Sequence, residues 1–198
     1  MTKVKLGPRA LVYPMPAFLV GANVAGKPDF ATVAWGGIAC SSPPMISVSL
    51  RPYRHTFKGI KENGVFSVNI PSVEQVTETD YCGIVSGAKN DKVKVCGFHI
   101  FYGMLNTAPL IEEYPLNLEC RVFKIEDLGS HNLIIGEIVE CHVSGECLTD
   151  GQPDVAKLRP FSYSEGSAAQ YLAFGDVIGQ AFRIGRQLKS PAKREKII

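Results

Sequence analysis

The sequence has no Gly-x-Gly-x-x-Gly between a strand-like and a helix-like run, and no Walker-type Gly-Lys-Ser/Thr loop. Neither a Rossmann site nor a P-loop is on offer for a nucleotide. No apolar run approaches the ~20 residues of a membrane-spanning helix, and the N-terminus lacks a signal peptide's apolar core and cleavage pattern. A cytoplasmic protein with no membrane partner is expected. An excess of one charge is also missing, since 21 Lys and Arg face 19 Asp and Glu. That balance supplies no broad field for a nucleic-acid backbone, so no nucleic-acid partner is expected.

Recognisable metal and catalytic patterns are missing too. None of the six cysteines forms a Cys-x-x-Cys pair, and the four histidines fall at unrelated spacings, so no zinc site is indicated. In a reducing compartment Cys40, Cys82, Cys96, Cys120, Cys141 and Cys147 are expected to stay thiols, with Cys120 and Cys141 as small core residues of strand-like runs. No Ser/His/Asp set or carboxylate pair has catalytic spacing, and no catalytic side chain is assigned. There is no internal repeat and no linker rich in Gly, Ser or Pro. The 198 residues, 45% of them hydrophobic, are therefore expected to form one domain over 1–198. Basic residues gather only in the tail beyond about 183 (Arg183, Arg186, Lys189, Lys193, Arg194, Lys196), and 186–198 reads as a solvated basic end.

What is present is mostly β signal. Ala17 to Ala22, Ala31 to Ile38, Met45 to Leu50, Val65 to Ile70, Leu116 to Ile125 and Asn132 to Val143 read as strands bounded by Gly, Pro, Asn or Asp. Gly26-Lys27-Pro28-Asp29 suits a turn between the first two, and Asp127-Leu128-Gly129-Ser130 a turn between the last two. Helical signals are fewer: Phe57 to Asn63, a segment after the capping box Ser72-Val73-Glu74-Gln75, a stretch near Asn90 to Val95, and the region from Val177. Six or more antiparallel strands with short peripheral helices predict a mainly β, closed or partly open barrel rather than a doubly wound sheet.

One stretch stands out. Arg51-Pro52-Tyr53-Arg54-His55-Thr56 follows the strand-like Met45 to Leu50 and opens the helix-like Phe57 to Asn63, which Gly64 ends. Two arginines, a histidine and a hydroxyl at a helix N-terminus combine side-chain charge with unpaired backbone N–H groups, the arrangement an anion needs. A plain helix start with solvated arginines would look the same in sequence.

The series Ala31-Thr32-Val33-Ala34-Trp35, Cys40-Ser41-Ser42-Pro43-Pro44, Ser47 to Pro52 and Val68-Asn69-Ile70-Pro71 resembles the flavin reductase-like, FMN-binding split-barrel family, and within it the flavoredoxin group. Asp80-Tyr81-Cys82-Gly83 with Ser86-Gly87 and Asp91-Lys92, Pro109 to Glu112, Asn117 to Cys120, Ser130-His131, Ile135 to Val139, Pro160 to Tyr163 and Tyr171 to Gly179 continue the likeness. The motifs are individually short, and their shared order from about Ala17 to Gly179 is what makes them specific.

The resemblance implies a six-stranded antiparallel Greek-key split barrel that forms a homodimer and holds FMN. It implies that Arg54, His55 and Thr56 with the helix N–H groups hold the phosphate, and that Arg51 adds charge. Cys40 and Ser41 would face the ribityl chain or flavin edge, and Thr32 and Trp35 the isoalloxazine. Lys92 would place an ammonium near the ring or phosphate, with Ser86 as a hydrogen-bond donor and Cys82 bordering the site as a packing residue rather than a chemical one. NADH or NADPH is the implied electron donor, with hydride passing to flavin N5, and free flavin or a redox protein is the implied acceptor. A flavoredoxin-like carrier that reacts poorly with nicotinamides is the alternative, and a non-redox anion-binding barrel is the third reading.

Overall fold

The computed structural model describes residues 1–166 and 169–189; Lys193, Arg194 and Lys196 of the basic tail lie outside them. Seven strands, β1 (Phe18–Val24), β2 (Lys27–Val33), β3 (Gly36–Ser41), β4 (Pro44–Leu50), β5 (Val65–Ile70), β6 (Leu116–Asp127) and β7 (Asn132–Val143), form one antiparallel sheet. Their order is β2-β1-β5-β6-β7-β4-β3. The two outermost strands, β2 and β3, are consecutive in the chain, so the sheet curls until its edges meet at the Ala34-Trp35 corner. There the Ser49 N–H of β4 donates to the Trp35 carbonyl at 2.8 Å.

That corner corrects the expectation of a single strand over Ala31 to Ile38. The run is apolar enough for one strand, but Gly36 is pressed into the seam. A Cβ on it would fall 2.6 Å from Phe18 Cζ and 2.9 Å from the Ser47 carbonyl oxygen. The break makes two strands, β2 and β3, of what reads as one run. The first hairpin is also tighter than expected. Val24 pairs with Lys27, and Ala25 and Gly26 turn with φ of 49° and 77°, the positive pair that a two-residue hairpin loop favours. Pro28 and Asp29 therefore lie in β2, and the strand position carries Asp29 into the interior.

Helix α1 (His55–Asn63) ends at Gly64, whose φ of 68° is the left-handed stop. Gly59 lets it lie against β1, because a Cβ there would sit 2.3 Å from the Asn23 carbonyl oxygen. The Ser72–Gln75 box forms, with Gln75 Oε1 accepting the Ser72 N–H at 2.9 Å. It opens a single 3-10 turn that leads into α2 (Val76–Ile84). Asp91 caps the short α3 (Lys92–Cys96) by accepting the Lys94 N–H at 3.0 Å. Beyond Val177 the described helical structure is the 3-10 segment Ile184–Lys189.

Strand alternation builds two cores. Phe18, Val20, Ala31, Val33, Val48, Phe66, Val68, Cys120 and Ile134 fill the barrel with Phe57 and Ile60 of α1. Leu19 and Phe30, on the other face of β1 and β2, pack with Cys82, Phe98, Ile111 and Tyr114. Cys120 is fully buried, but Cys141 is exposed. A bulge between Ile138 and Glu140 resets the register of β7, which corrects the expectation that Cys141 is a core residue. A separate small sheet, in which Met15–Pro16 pairs with β8 (Phe161–Ser164) and β8 with β9 (Gln170–Ala173), stands at the rim of the seam.

Candidate functional site

Two adjoining cavities open at the seam. The larger is a cleft of about 370 Å³. Thr32 to Trp35 of the corner form one wall, the end of β4 through Arg51 another, Gly83 and Ile84 of α2 a third, and His131, Tyr163 and Tyr171 the remainder. The smaller, of about 180 Å³, lies at the N-terminus of α1 against Val85, Ser86 and Lys92. Arg54 and Ile84 belong to both.

The small pocket suits an anion. Arg54 is the N-cap of α1, and among the described residues no side chain caps the helix. The first-turn N–H groups of a helix have no intrahelical partner, and the N-terminus carries partial positive charge. Arg54 is held in place by donating from Nη1 to the Gly83 carbonyl at 2.7 Å, which ties α1 to the C-terminal end of α2.

Behind the pocket lies a buried ionic cluster centred on Asp29. Its Oδ2 accepts the Thr56 hydroxyl at 2.6 Å and lies 3.3 Å from His55 Nδ1, while its Oδ1 lies 3.5 Å from Lys92 Nζ. Lys92 also donates to the carbonyls of Phe30 and Cys82, the latter at 3.1 Å. Asp29 and Lys92 are each 4% exposed, so each charge depends on the other to tolerate its burial. A Cβ on Gly87 would fall 2.0 Å from Asp29 Oδ1, so the loop before α3 closes directly on the carboxylate.

The cleft suits a flat, partly polar molecule. Trp35 lies against His131 with ring centroids 4.6 Å apart at 36°. Burial, and after it the Arg51 charge, push the His131 pKa below the ordinary histidine value, which favours a neutral imidazole in the wall. Tyr171 donates from its hydroxyl to Asp80 Oδ1 at 2.8 Å and meets Tyr163 at 5.7 Å between centroids. Burial, then the bond to Asp80, raises the Tyr171 pKa and keeps its phenol protonated.

Of the residues named from sequence, Thr32, Trp35, Arg51 and Arg54 line the cleft, while Arg54, His55, Thr56, Ser86 and Lys92 line the small pocket. Several have duties other than those expected. The Thr32 hydroxyl donates to the Thr79 carbonyl, which points it at α2. The Thr56 hydroxyl is spent on Asp29, and the Lys92 ammonium belongs to the buried cluster. Cys40, Ser41 and Cys82 line neither cavity. Cys40 and Ser41 pair with Met45 and Pro44 at the far tip of the β3–β4 hairpin, and Cys82 faces the outer core, where burial drives its thiol pKa up. Asp29, Asp80, His131, Tyr163 and Tyr171 are site residues that the sequence reading does not single out. An acid between Pro28 and Phe30-Ala31 was the one local signal for Asp29, whereas the tyrosines reach the seam only through long-range pairing.

The flavin reductase like domain matches residues 10–167. Flavoredoxin from Methanosarcina acetivorans is 39% identical, over 95% of this chain and 100% of that chain, with a TM-score of 0.90. Flavoredoxin of Desulfovibrio vulgaris (Miyazaki F) is 38% identical, over 93% of this chain and 100% of that chain, with a TM-score of 0.87. A curated relative, the FMN reductase (NADH) RutF of Agrobacterium fabrum, is 25% identical over 124 residues, which is 62% of this chain and 67% of that protein.

Proposed function

The chain belongs to the flavin reductase-like domain family, and from that membership we propose that it holds FMN at the barrel seam and passes electrons through it, with NADH or NADPH as donor. The observation that carries the proposal is the adjoining pair of cavities: an open cleft walled by Trp35, His131 and Tyr163, and a small basic pocket at an uncapped helix N-terminus, joined at Arg54.

The residues fit such a cofactor by their chemistry. The α1 N-terminus, Arg54 and the Ser86 hydroxyl offer donors to a phosphate. The cleft's volume of about 370 Å³ can take a ring system, with main-chain groups of the Thr32 to Trp35 wall available to polar ring edges and Trp35, His131, Tyr163 and Tyr171 to its faces. When bound, FMN supplies hydride acceptance from a reduced nicotinamide and onward transfer to free flavin or a redox protein. The chain's own part is to bind and orient. Arg54 is fixed by Gly83, the corner is fixed by the Ser49–Trp35 hydrogen bond, and the Asp29–Lys92 cluster stiffens the floor of the phosphate pocket. Its lowered pKa favours a neutral His131 beside Arg51, which gives the cleft wall one hydrogen-bond donor and one acceptor without adding charge.

The two flavoredoxin structures, each covered over its whole length, favour a second reading, an FMN electron carrier that nicotinamides reduce poorly. Anaerobic rapid mixing of FMN-loaded protein with NADH or NADPH separates the readings. Fast bleaching of the blue absorption band supports the reductase. Persistence of the band with nicotinamides, together with reversible reduction by dithionite, supports the carrier. Protein that takes up no FMN at micromolar concentration overturns both and leaves an anion-binding barrel.

A further inference from the structure

Two thiols meet behind the seam. Cys82 of α2 is fully buried in the outer core, and Cys96, the last residue of α3, is half-buried and packs against that core. The two thiols hydrogen-bond to each other. Glu78 precedes Cys82 by one turn on the same face of α2, and its charge acts on Cys96. Its Oε2 is buried and has no hydrogen-bond partner among the described residues. A buried carboxylate oxygen left unpaired is costly, and here it stands beside a pair of reactive groups that the seam does not use.

We propose that Cys82 and Cys96 are a dithiol that small-molecule disulfides oxidise to a protein disulfide, with Glu78 as the proton acceptor. The step is thiol–disulfide exchange. Cys96, the more accessible of the two, passes its proton to Glu78 and attacks one sulfur of the small disulfide. That S–S bond breaks, and one thiolate leaves with the proton from Glu78. Cys82 then gives up its proton and attacks Cys96 Sγ, and the second small thiolate leaves with that proton. Two protein thiols are oxidised to one disulfide, and one small disulfide is reduced to two thiols. Burial raises the pKa of both cysteines, so the reduced pair stays inert until a neighbouring base deprotonates Cys96.

The bond staples a stretch that shapes the site. Residues 83–95 lie between the two cysteines. They include Gly83, whose carbonyl holds Arg54 at 2.7 Å, and Val85, Ser86 and Lys92 of the small pocket. Closing this loop restricts the unfolded chain and fixes the pocket wall. The dithiol does not depend on the FMN reading of the seam, whereas the effect on flavin release rests on it.

The test equilibrates FMN-loaded, full-length protein with oxidised glutathione or with dithiothreitol, digests it without reduction and maps the cysteine peptides by mass. The proposal predicts a Cys82–Cys96 cross-link in the oxidised sample alone and a higher Tm for that sample. FMN dissociation should slow by about threefold or more, since a stapled wall is pre-organised. Glu78→Gln should slow cross-linking by about tenfold or more without changing its final extent, the mark of a proton acceptor. Cys96→Ser should show no cross-link and no difference in FMN release between the two treatments. Cross-links through other cysteines alone, a mixed disulfide that stops at Cys96, an unchanged rate in Glu78→Gln, or a cross-link that moves neither Tm nor FMN release overturns the proposal and leaves the FMN reading standing. Protein that takes up no FMN overturns that reading alone, and the peptide map and Tm still decide the dithiol.

Discussion

The Thr56 hydroxyl donates to the Asp29 carboxylate at 2.6 Å, and Lys92 faces the same carboxylate from its other oxygen at 3.5 Å. Residues that sequence reading assigns to a cofactor thus first hold the protein together beneath the pocket. Removing the buried charge of Asp29 strands the Lys92 ammonium. Asp29→Asn should therefore destabilise by about 3–5 kcal/mol, the usual cost of breaking a buried pair from one side. Thr56→Val should cost about 1.5–3 kcal/mol for a hydrogen bond to a charged acceptor. Urea unfolding measures both, and an unchanged midpoint in Asp29→Asn would show that the pair is not buried as described.

On the far side of the barrel, Glu119 is fully buried and accepts from His142 Nε2 at 2.8 Å and from the N–H groups of Leu105 and Met104 at 2.6 and 3.0 Å. Burial alone would raise its pKa. The His142 hydrogen bond and the two backbone bonds outweigh that and hold the carboxyl below the ordinary value. A lowered folded pKa means that its stabilisation is fully present above the ordinary glutamate value of about 4.3, and is lost as pH falls below that toward the folded value. Glu119→Gln should lower Tm at neutral pH and flatten the acid limb of the Tm–pH curve, so that variant and natural chain converge in acid. Parallel curves down to pH 2 would contradict this.

Two glycines predict opposite outcomes for the same change. Gly59→Ala drives a Cβ to 2.3 Å from the Asn23 carbonyl oxygen, and a forced backbone shift of this kind costs about 1–3 kcal/mol or more. A Cβ on Gly37 meets nothing within 4 Å, so Gly37→Ala should stay within about 0.5 kcal/mol. Thermal unfolding of the pair compares them directly.

Much of the fold was legible because its signals are local. The inward alternation of Ile46, Val48 and Leu50, the Gly64 stop and the Ser72–Gln75 capping box each rest on a few neighbouring residues. The corner at Ala34-Trp35 was not legible, since what breaks the strand is the crowding of Gly36 by Phe18 and Ser47 from elsewhere in the chain. The site divided in the same way. Arg54 is legible from its position before a helix, but the burial of Lys92 and Thr56 depends on Asp29, 26 residues before His55 in the sequence, which the two-residue turn sets inside β2.

His131 offers a test of the cleft's electrostatics. Burial first and Arg51 second lower its pKa, so its NMR titration midpoint should fall below the ordinary histidine value of about 6.5. Arg51→Gln should bring the midpoint back toward that value without reaching it. A midpoint at or above 6.5 in the natural chain would contradict the arrangement.

The phosphate pocket is tested most directly by comparing FMN with riboflavin, which has the same ring and ribityl chain but no phosphate, in the natural chain and in Arg54→Ala. The α1 N-terminus and Arg54 together predict that FMN binds at least about a hundredfold tighter than riboflavin, a difference of about 2.7 kcal/mol. Arg54→Ala should remove most of that gap by weakening FMN and leaving riboflavin nearly unchanged. Equal affinity for the two flavins in the natural chain, or an unaltered gap in Arg54→Ala, would show that the phosphate does not sit at the N-terminus of α1.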